Sequence, residues 1–121
     1  MNYAIQQVAQ HTGLTEYTLR YYGQIGLIEP VPRASNGHRR YTDDDLNRIK
    51  FLNKLRATGM PIKQMVAYVQ APTEERLEIL REHYQQVQAQ IAELHTVAGM
   101  IEWKMELYES RLQEPEELTG R

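Results

Sequence analysis

Arg20, Tyr21 and Tyr22 stand side by side in a short helical segment, with Tyr17 and Thr18 one turn earlier. Arginine offers a planar fork for phosphate or guanine, and tyrosine and threonine hydroxyls donate to phosphate oxygens while the rings pack. Glu16, Tyr17 and Thr18 lie nearest the start of the segment and are placed for base edges. A second cationic set follows, in which Arg33, Arg39 and Arg40 bracket an Asn36-Gly37 turn and close on Tyr41. Cations at a hairpin tip lie along a nucleic-acid backbone or enter a minor groove. Arg39 and Arg40 alternate on a strand, so only one of them need face a polyanion. Lys63, two residues after Pro61, adds a phosphate contact at a helix start, where free backbone N–H groups favour anions. The plainer alternative is that Tyr22 is a core residue and the arginines are solvated surface groups.

Such residues need rigid elements behind them. Ile5, Val8 and Ala9 mark one face of a first short helix, Gly13 supplies a turn, and Thr15 caps a second helix with Glu16 in its first turn. The small Ala9 and the turn glycine four residues on, with apolar Val8, Leu14, Leu19 and Tyr22, have the spacing of a helix-turn-helix. After Gly26 the chain turns to Pro30, Pro32, Asn36 and Gly37, and Asn-Gly is a hairpin signal. Leu27-Ile28 and His38–Tyr41 are therefore expected to pair as a small two-stranded wing. Thr42 followed by three aspartates is a helix start of the Thr-x-x-Asp capping kind. The helix carries Leu46, Ile49, Leu52 and Leu55 inward and ends at Gly59. Pro61 opens a further helix that buries Ile62, Met65, Val66 and Val69.

Pro72 and a capping Thr73 open the last element. Its apolar positions are Leu77, Leu80, Tyr84, Val87, Ile91, Leu94, Ala98, Ile101, Met105, Tyr108 and Leu112. The intervals alternate three and four throughout, the pattern of a coiled-coil seam. One helix from Thr73 to Leu112 is roughly 60 Å long at 1.5 Å per residue. Alone it leaves its stripe in water, so the pattern calls for a partner helix from a second copy. Met100, Trp103 and Leu107 form another apolar stripe off that seam. It is expected either to pack against the partner subunit or to line a small-ligand pocket with Trp103 as an aromatic wall. The organisation read from the chain is thus a DNA-contacting domain over 1–71, a coiled-coil helix over 72–113 and a flexible acidic tail over 114–121.

Charge divides along the same line. Residues 1–72 hold nine Lys/Arg against five Asp/Glu, a balance of +4, and residues 73–121 hold five against eleven, a balance of −6. A basic front suits a polyanionic partner and an acidic back repels one. No run reaches the length of a membrane span and the N-terminus lacks an apolar signal core, so no membrane partner is expected and the cytoplasm is the simplest fit. With no cysteine there is no disulfide frame, thiolate metal site or thiol redox switch. His83 and His95 sit twelve apart on one helix, which is not a ligand spacing. No nucleophile–base pair, carboxylate pair or phosphate loop emerges. The chain is expected to be no enzyme, to need no cofactor and to bind no metal.

TLRYYGQIGLI at 18–28, NGHRRYTDDDL at 36–46 and LRATGMPIKQM at 55–65 resemble, in that order, the MerR family of bacterial transcriptional regulators. The likeness covers about residues 2–70, and the long helix that follows agrees in kind. It implies a mainly α fold: a winged helix-turn-helix with a small β wing, then an antiparallel coiled-coil homodimer on a pseudo-palindromic promoter operator. It also implies RNA polymerase as a partner, with promoter DNA bent and untwisted so that polymerase engages both elements. Carried over by position, Tyr17, Thr18 and Arg20 match recognition-helix contacts, Tyr21 and Tyr22 match backbone-contacting tyrosines, and Arg39, Arg40 and Tyr41 match the wing. Gly23 departs from the acidic residue that commonly follows the paired tyrosines, which is expected to loosen the end of the helix.

Metal- and redox-sensing members use cysteines. The aldehyde- and nitrosative-stress-sensing branch resembles the segment 60–64, but its sensing cysteine falls near Lys54 here. Drug-sensing members carry a large additional C-terminal ligand domain, which is not expected here. The small-molecule effector is therefore unassigned, as are operator and sign of regulation. A repressor, an architectural DNA-bending accessory protein and a coiled-coil adaptor remain the alternatives.

Overall fold

Hydroxyl caps and left-handed glycines set the helix boundaries of the first half of the chain. The computed structural model describes residues 2–28 and 40–114. Strand β1 (Asn2–Tyr3) leads into α1 (Ile5–Thr12). Gly13, at φ 77, ends α1 and donates its N–H to the Ala9 carbonyl at 2.9 Å. That backbone quadrant costs little for glycine and penalises other side chains. Thr15 then accepts the Thr18 N–H on its hydroxyl at 3.0 Å and starts α2 (Glu16–Gln24).

Gly23 does not loosen the end of α2, which runs through it to Gln24. The helix closes at Gly26 (φ 82), with the Leu27 N–H donating to the Tyr22 carbonyl at 3.0 Å and Gly26 to Gly23 at 3.4 Å. This six-to-one and five-to-two pair folds the next residues back under the helix. Leu27 and Ile28 are consequently buried core residues and not the wing strand expected of them. Tyr41 also finds a different partner. Strand β2 (Tyr41–Thr42) pairs antiparallel with β1, setting Tyr3 against Tyr41 and Asn2 against Thr42. The rest of the expected wing, including Arg33, His38 and Arg39, lies outside the described residues, as does the tail from Pro115 onward.

Thr42 opens α3 (Asp43–Ala57) with the expected reciprocal box. Its hydroxyl accepts the Asp45 N–H at 3.1 Å, and its own N–H donates to the Asp45 carboxylate at 2.8 Å. Leu46, Ile49, Leu52 and Leu55 all point inward. After Gly59 the Met60 N–H donates to the Leu55 carbonyl at 3.0 Å, so Met60 tucks into the core as Leu27 does. Helix α4 (Ile62–Gln70) follows Pro61 and buries Met65 completely, with Ile62, Val66 and Val69 half-buried beside it.

Helix α5 (Thr73–Gln113) divides between two compact units, the first ending at Leu80 and the second starting at Arg81. Within the first, Arg76 donates to the Ala71 and Val69 carbonyls at 2.8 and 2.6 Å, satisfying the open end of α4. Ile79 and Leu80 pack on the core, so Leu80, counted above as seam, is half-buried within its own chain. The second unit is the remaining run of α5. Along it Tyr84, Ile91, Leu94, Ile101, Met105, Tyr108 and Leu112 are exposed, and Val87 is half-buried.

Candidate nucleic-acid interface

Helical periodicity sorts the α2 residues into two sets. Leu19 and Tyr22, three apart, face the core, and Tyr17, Arg20 and Tyr21 face outward. Tyr17 is 79% exposed, far more than an aromatic ring keeps when packing is its role. Arg20 reaches back one turn to Glu16, Nη2 to Oε1 at 3.2 Å, with both side chains substantially in water. An exposed pair of this kind is weak, so the guanidinium is extended yet available to a stronger anion. Thr15 and Thr18 are linked through their hydroxyls at 2.9 Å, so Thr15 is first a cap.

Two of the expected contact residues are interior. Tyr22 is 2% exposed and its hydroxyl accepts a hydrogen bond from Arg56 Nη1 at 2.9 Å, which makes its ring a core ring. Tyr41 is equally buried, because pairing with Tyr3 turns its side chain under α3 and away from solvent. Its place is behind the surface, holding β2 against the core, and not on the wing surface. Arg40 beside it stays partly exposed, with Nη2 3.5 Å from the Asn2 carbonyl. Lys63 is exposed in the first turn of α4.

The same corner contains groups with no assigned role in the sequence reading. The Tyr3 hydroxyl donates to Asp43 Oδ1 at 2.7 Å. This bond holds the Asp43 carboxyl below the usual carboxylate range and pushes the Tyr3 phenol up. Asn53 donates to the Thr12 carbonyl at 3.2 Å and pins the helix-turn-helix to α3. Arg56 lies beside the apolar stripe of α3 and next to Leu55. That adjacency is the one signal that it faces the base of α2.

On the second unit Met100 and Trp103 come together around a shallow depression with Thr96, Gly99 and Lys104, and Lys104 Nζ lies 5.4 Å from the Trp103 ring centre. Leu107, the third residue of that expected stripe, does not line it. Among the described residues no three His, Cys, Asp or Glu side chains converge on a position for a metal ion.

A two-helix reader backed by a capped third helix and followed by a long helix with a regular apolar stripe is the arrangement the three ordered motifs imply. Residues 3–71 match the model of the MerR HTH family regulatory protein, and residues 46–103 match the MerR DNA-binding model. The chain belongs to the MerR family. MerR relatives include the transcriptional activator TipA of Streptomyces coelicolor, 36% identical over 106 residues. That match takes in 88% of this chain but 42% of TipA, so the chain spans less than half the length of that activator. An HTH-type transcriptional regulator of Haemophilus influenzae is 34% identical over 115 residues, covering 90% of this chain and 85% of that protein. Among solved structures, HiNmlR, a MerR family regulator lacking the sensor domain and bound to promoter DNA, superposes with a TM-score of 0.79 at 34% identity. The match covers 91% of this chain and 92% of HiNmlR. The MerR fold is thereby assigned across both units taken separately.

Proposed function

We propose that this chain is a sequence-specific DNA-binding transcriptional regulator that works as a homodimer, has no enzymatic activity and acts in the cytoplasm. The observation that carries the reading is the outward face of α2. Tyr17, Arg20 and Tyr21 stand in solvent on a helix whose other face is locked into a core, which is the geometry of a recognition helix. Tyr17, Thr18 and Arg20 would meet base edges and groove walls, and Tyr21, Arg40 and Lys63 would hold phosphates. Arg33 and Arg39 complete the set from sequence. No helix among the described residues is long and apolar enough to cross a membrane.

The wet seam from Tyr84 to Leu112 supports a second copy as partner, because an apolar stripe sustained over four heptads is stable in water only when another helix covers it. The family likeness favours an antiparallel pair. A two-fold dimer reads two half-sites related by symmetry, at a spacing set by the protein. Bending and untwisting promoter DNA, so that RNA polymerase engages it, is the mechanism that suits such a reader. Flexible pyrimidine–purine steps at the centre of the site would lower the deformation energy. The depression at Met100 and Trp103 suits a small apolar effector or the partner subunit.

Selection of bound genomic fragments, followed by transcription in vitro from the recovered promoter, tests this. A pseudo-palindromic site whose transcription changes on adding the protein is the expected result. Bound DNA with unchanged transcription would instead make the protein an architectural accessory. An Arg20→Ala, Arg40→Ala variant that keeps both dimer and DNA binding would overturn the DNA-reading surface.

A further inference from the structure

On the flank of α3 turned away from Asn53 and Arg56 lies a recess of about 160 Å³, contained within the first unit. The buried Leu27 and Leu52 form its floor, Phe51 and Tyr68 its walls, and the exposed Arg48 and Arg76 its mouth. We infer that this recess binds a small aromatic carboxylate, its ring packed on Phe51 and Tyr68 and its carboxylate on the Arg76 guanidinium. At about 100° per residue, Phe51 stands roughly 160° around the helix from Asn53 and roughly 140° from Arg56. None of the lining residues belongs to the DNA-reading surface, and the assignment does not depend on that reading.

Size limits the ligand to a single ring. An apolar cavity of about 150 Å³ takes one benzene molecule, whereas drug-sized ligands need roughly 300 Å³ or more. The walls then favour an aromatic ring. The centres of Phe51 and Tyr68 are 6.4 Å apart and their planes are inclined at 57°, so a third ring can meet one by its face and the other by its edge. Phe51 is the one phenylalanine of the chain, and folding leaves it 44% exposed. A ligand ring that covers it removes from water apolar surface that the fold itself does not.

Charge selects the polar group. Two guanidiniums line the recess, and no Asp or Glu among the described residues does. Arg76 is held in place before any ligand arrives. Its Nε and Nη2 donate to the Ala71 and Val69 carbonyls, and its Cζ lies 5.6 Å from the Tyr68 ring centre. Those acceptors are neutral, so the guanidinium keeps its charge, and the N–H groups on its Nη1 side are left to donate. A fixed planar fork meets a carboxylate with paired charge-assisted bonds at little ordering cost. A neutral amide offers no charge, and an ammonium is repelled. The same guanidinium satisfies the open end of α4, so a bound carboxylate engages the joint between α4 and the start of α5.

The test titrates the isotope-labelled full chain with benzoate and follows the backbone amide resonances. Those of Phe51, Leu52, Tyr68 and Arg76 should shift together and saturate at roughly millimolar benzoate, the strength open to a ligand with so few atoms. Benzamide, which keeps the ring without the charge, should bind about tenfold more weakly, and acetate, which keeps the charge without the ring, likewise. Arg76→Gln should weaken benzoate about tenfold and bring it level with benzamide. Phe51→Ala should weaken both ring compounds about threefold to tenfold and leave the preference for benzoate over benzamide unchanged. If Arg76→Gln loosens the end of α4 and melts early, Arg48→Gln and Phe51→Ala, both at exposed positions, carry the comparison; Arg48→Gln should then narrow the preference for benzoate. The absence of saturation up to roughly 50 mM benzoate would overturn the site, since binding that weak selects nothing. Shifts centred on Met100 and Trp103 would overturn it in favour of the depression on the second unit. Benzamide that matches benzoate in the wild type would overturn the role of Arg76. Acetate or inorganic phosphate that displaces benzoate at equal concentration would leave a general anion site and overturn the aromatic class.

Discussion

The two compact units bury their apolar residues by opposite means. Up to Leu80 the chain satisfies itself: Val8, Leu19, Leu27, Ile49, Leu52, Met60 and Met65 close around one another, and no buried side-chain polar atom among the described residues lacks a hydrogen-bond partner. From Arg81 onward the apolar residues keep their regular spacing but most of them remain in water, with Leu94 67% exposed. Both regions have periodic sequences, so periodicity alone does not say whether a stripe is covered. What differs is the turns. The first unit has Gly13, Gly26 and Gly59 at positive φ, reversing the chain so that one stripe meets another. Among the described residues the second has none, and in the homodimer proposed above a second copy supplies its cover.

The largest effect should therefore come from breaking the stripe that depends on that chain. Leu94→Arg is expected to remove the dimer. Each buried leucine lost is worth about 2–5 kcal/mol, two copies lose one each, and the new charge adds a desolvation penalty. Sedimentation velocity at micromolar concentration should show a monomer, and a dimeric Leu94→Arg would show that the seam lies elsewhere. Helicity up to Leu80 should survive, since none of that core depends on Leu94.

Met65→Ala attacks the other region. Met65 is completely buried in the core, and truncating it should cost about 2–5 kcal/mol in urea unfolding. Its effect should be the same at every protein concentration, whereas that of Leu94→Arg should depend on concentration through the dimer. A loss below about 1 kcal/mol would mean the core closes less tightly than the geometry requires.

What the sequence made legible follows the range of the interaction involved. The Thr42 box, the Thr15 cap, the Gly13 turn and the inward stripe of α3 all depend on residues within four or five positions, and all appear where the spacing places them. Leu27-Ile28 misled because an apolar pair beside a turn looks the same whether it enters a strand or folds under a helix. The deciding bond, from Leu27 to the Tyr22 carbonyl, is a property of the Gly26 conformation. Met60 after Gly59 repeats that signal, and the pair together could have identified both core residues. Strand β1 is two residues long, too short for a period, and its paired residues are 38 and 40 positions away. Tyr22 and Tyr41 were ambiguous in type, since tyrosine suits a phosphate contact and a core equally. Arg56 was missed because its meaning depends on a tyrosine 34 residues earlier.

Smaller effects sharpen the contrast at the helix ends. Thr42→Ala removes the hydroxyl that accepts the Asp45 N–H and should cost about 0.5–2 kcal/mol, with Thr42→Ser recovering most of it. The loss belongs to the first unit alone, so dimer sedimentation should not change. An equal loss in both Thr42→Ala and Thr42→Ser would mean that the methyl group, and not the cap, carries the effect.

The smallest effect concerns the bond that ties β1 to α3. The Tyr3 hydroxyl lowers the folded-state pKa of Asp43, so the contribution of Asp43 is present above its unfolded value, near 3.9, and is lost as pH falls through the lowered value. Tyr3 has the opposite sign. Its phenol is raised, so its contribution is present below about pH 10 and is lost as pH rises through the raised value. Both groups lie in solvent, so the contact shapes the ends of the stability profile and leaves neutral pH nearly flat. Chemical unfolding from pH 2 to 11 should show Tyr3→Phe flattening both limbs and Asp43→Asn doing the same. If Tyr3→Phe leaves the acid limb unchanged, the carboxyl is being held down by the positive end of α3, whose first turn also contains Asp44 and Asp45. The strand would then be attached by its ladder with Tyr41 and Thr42 alone.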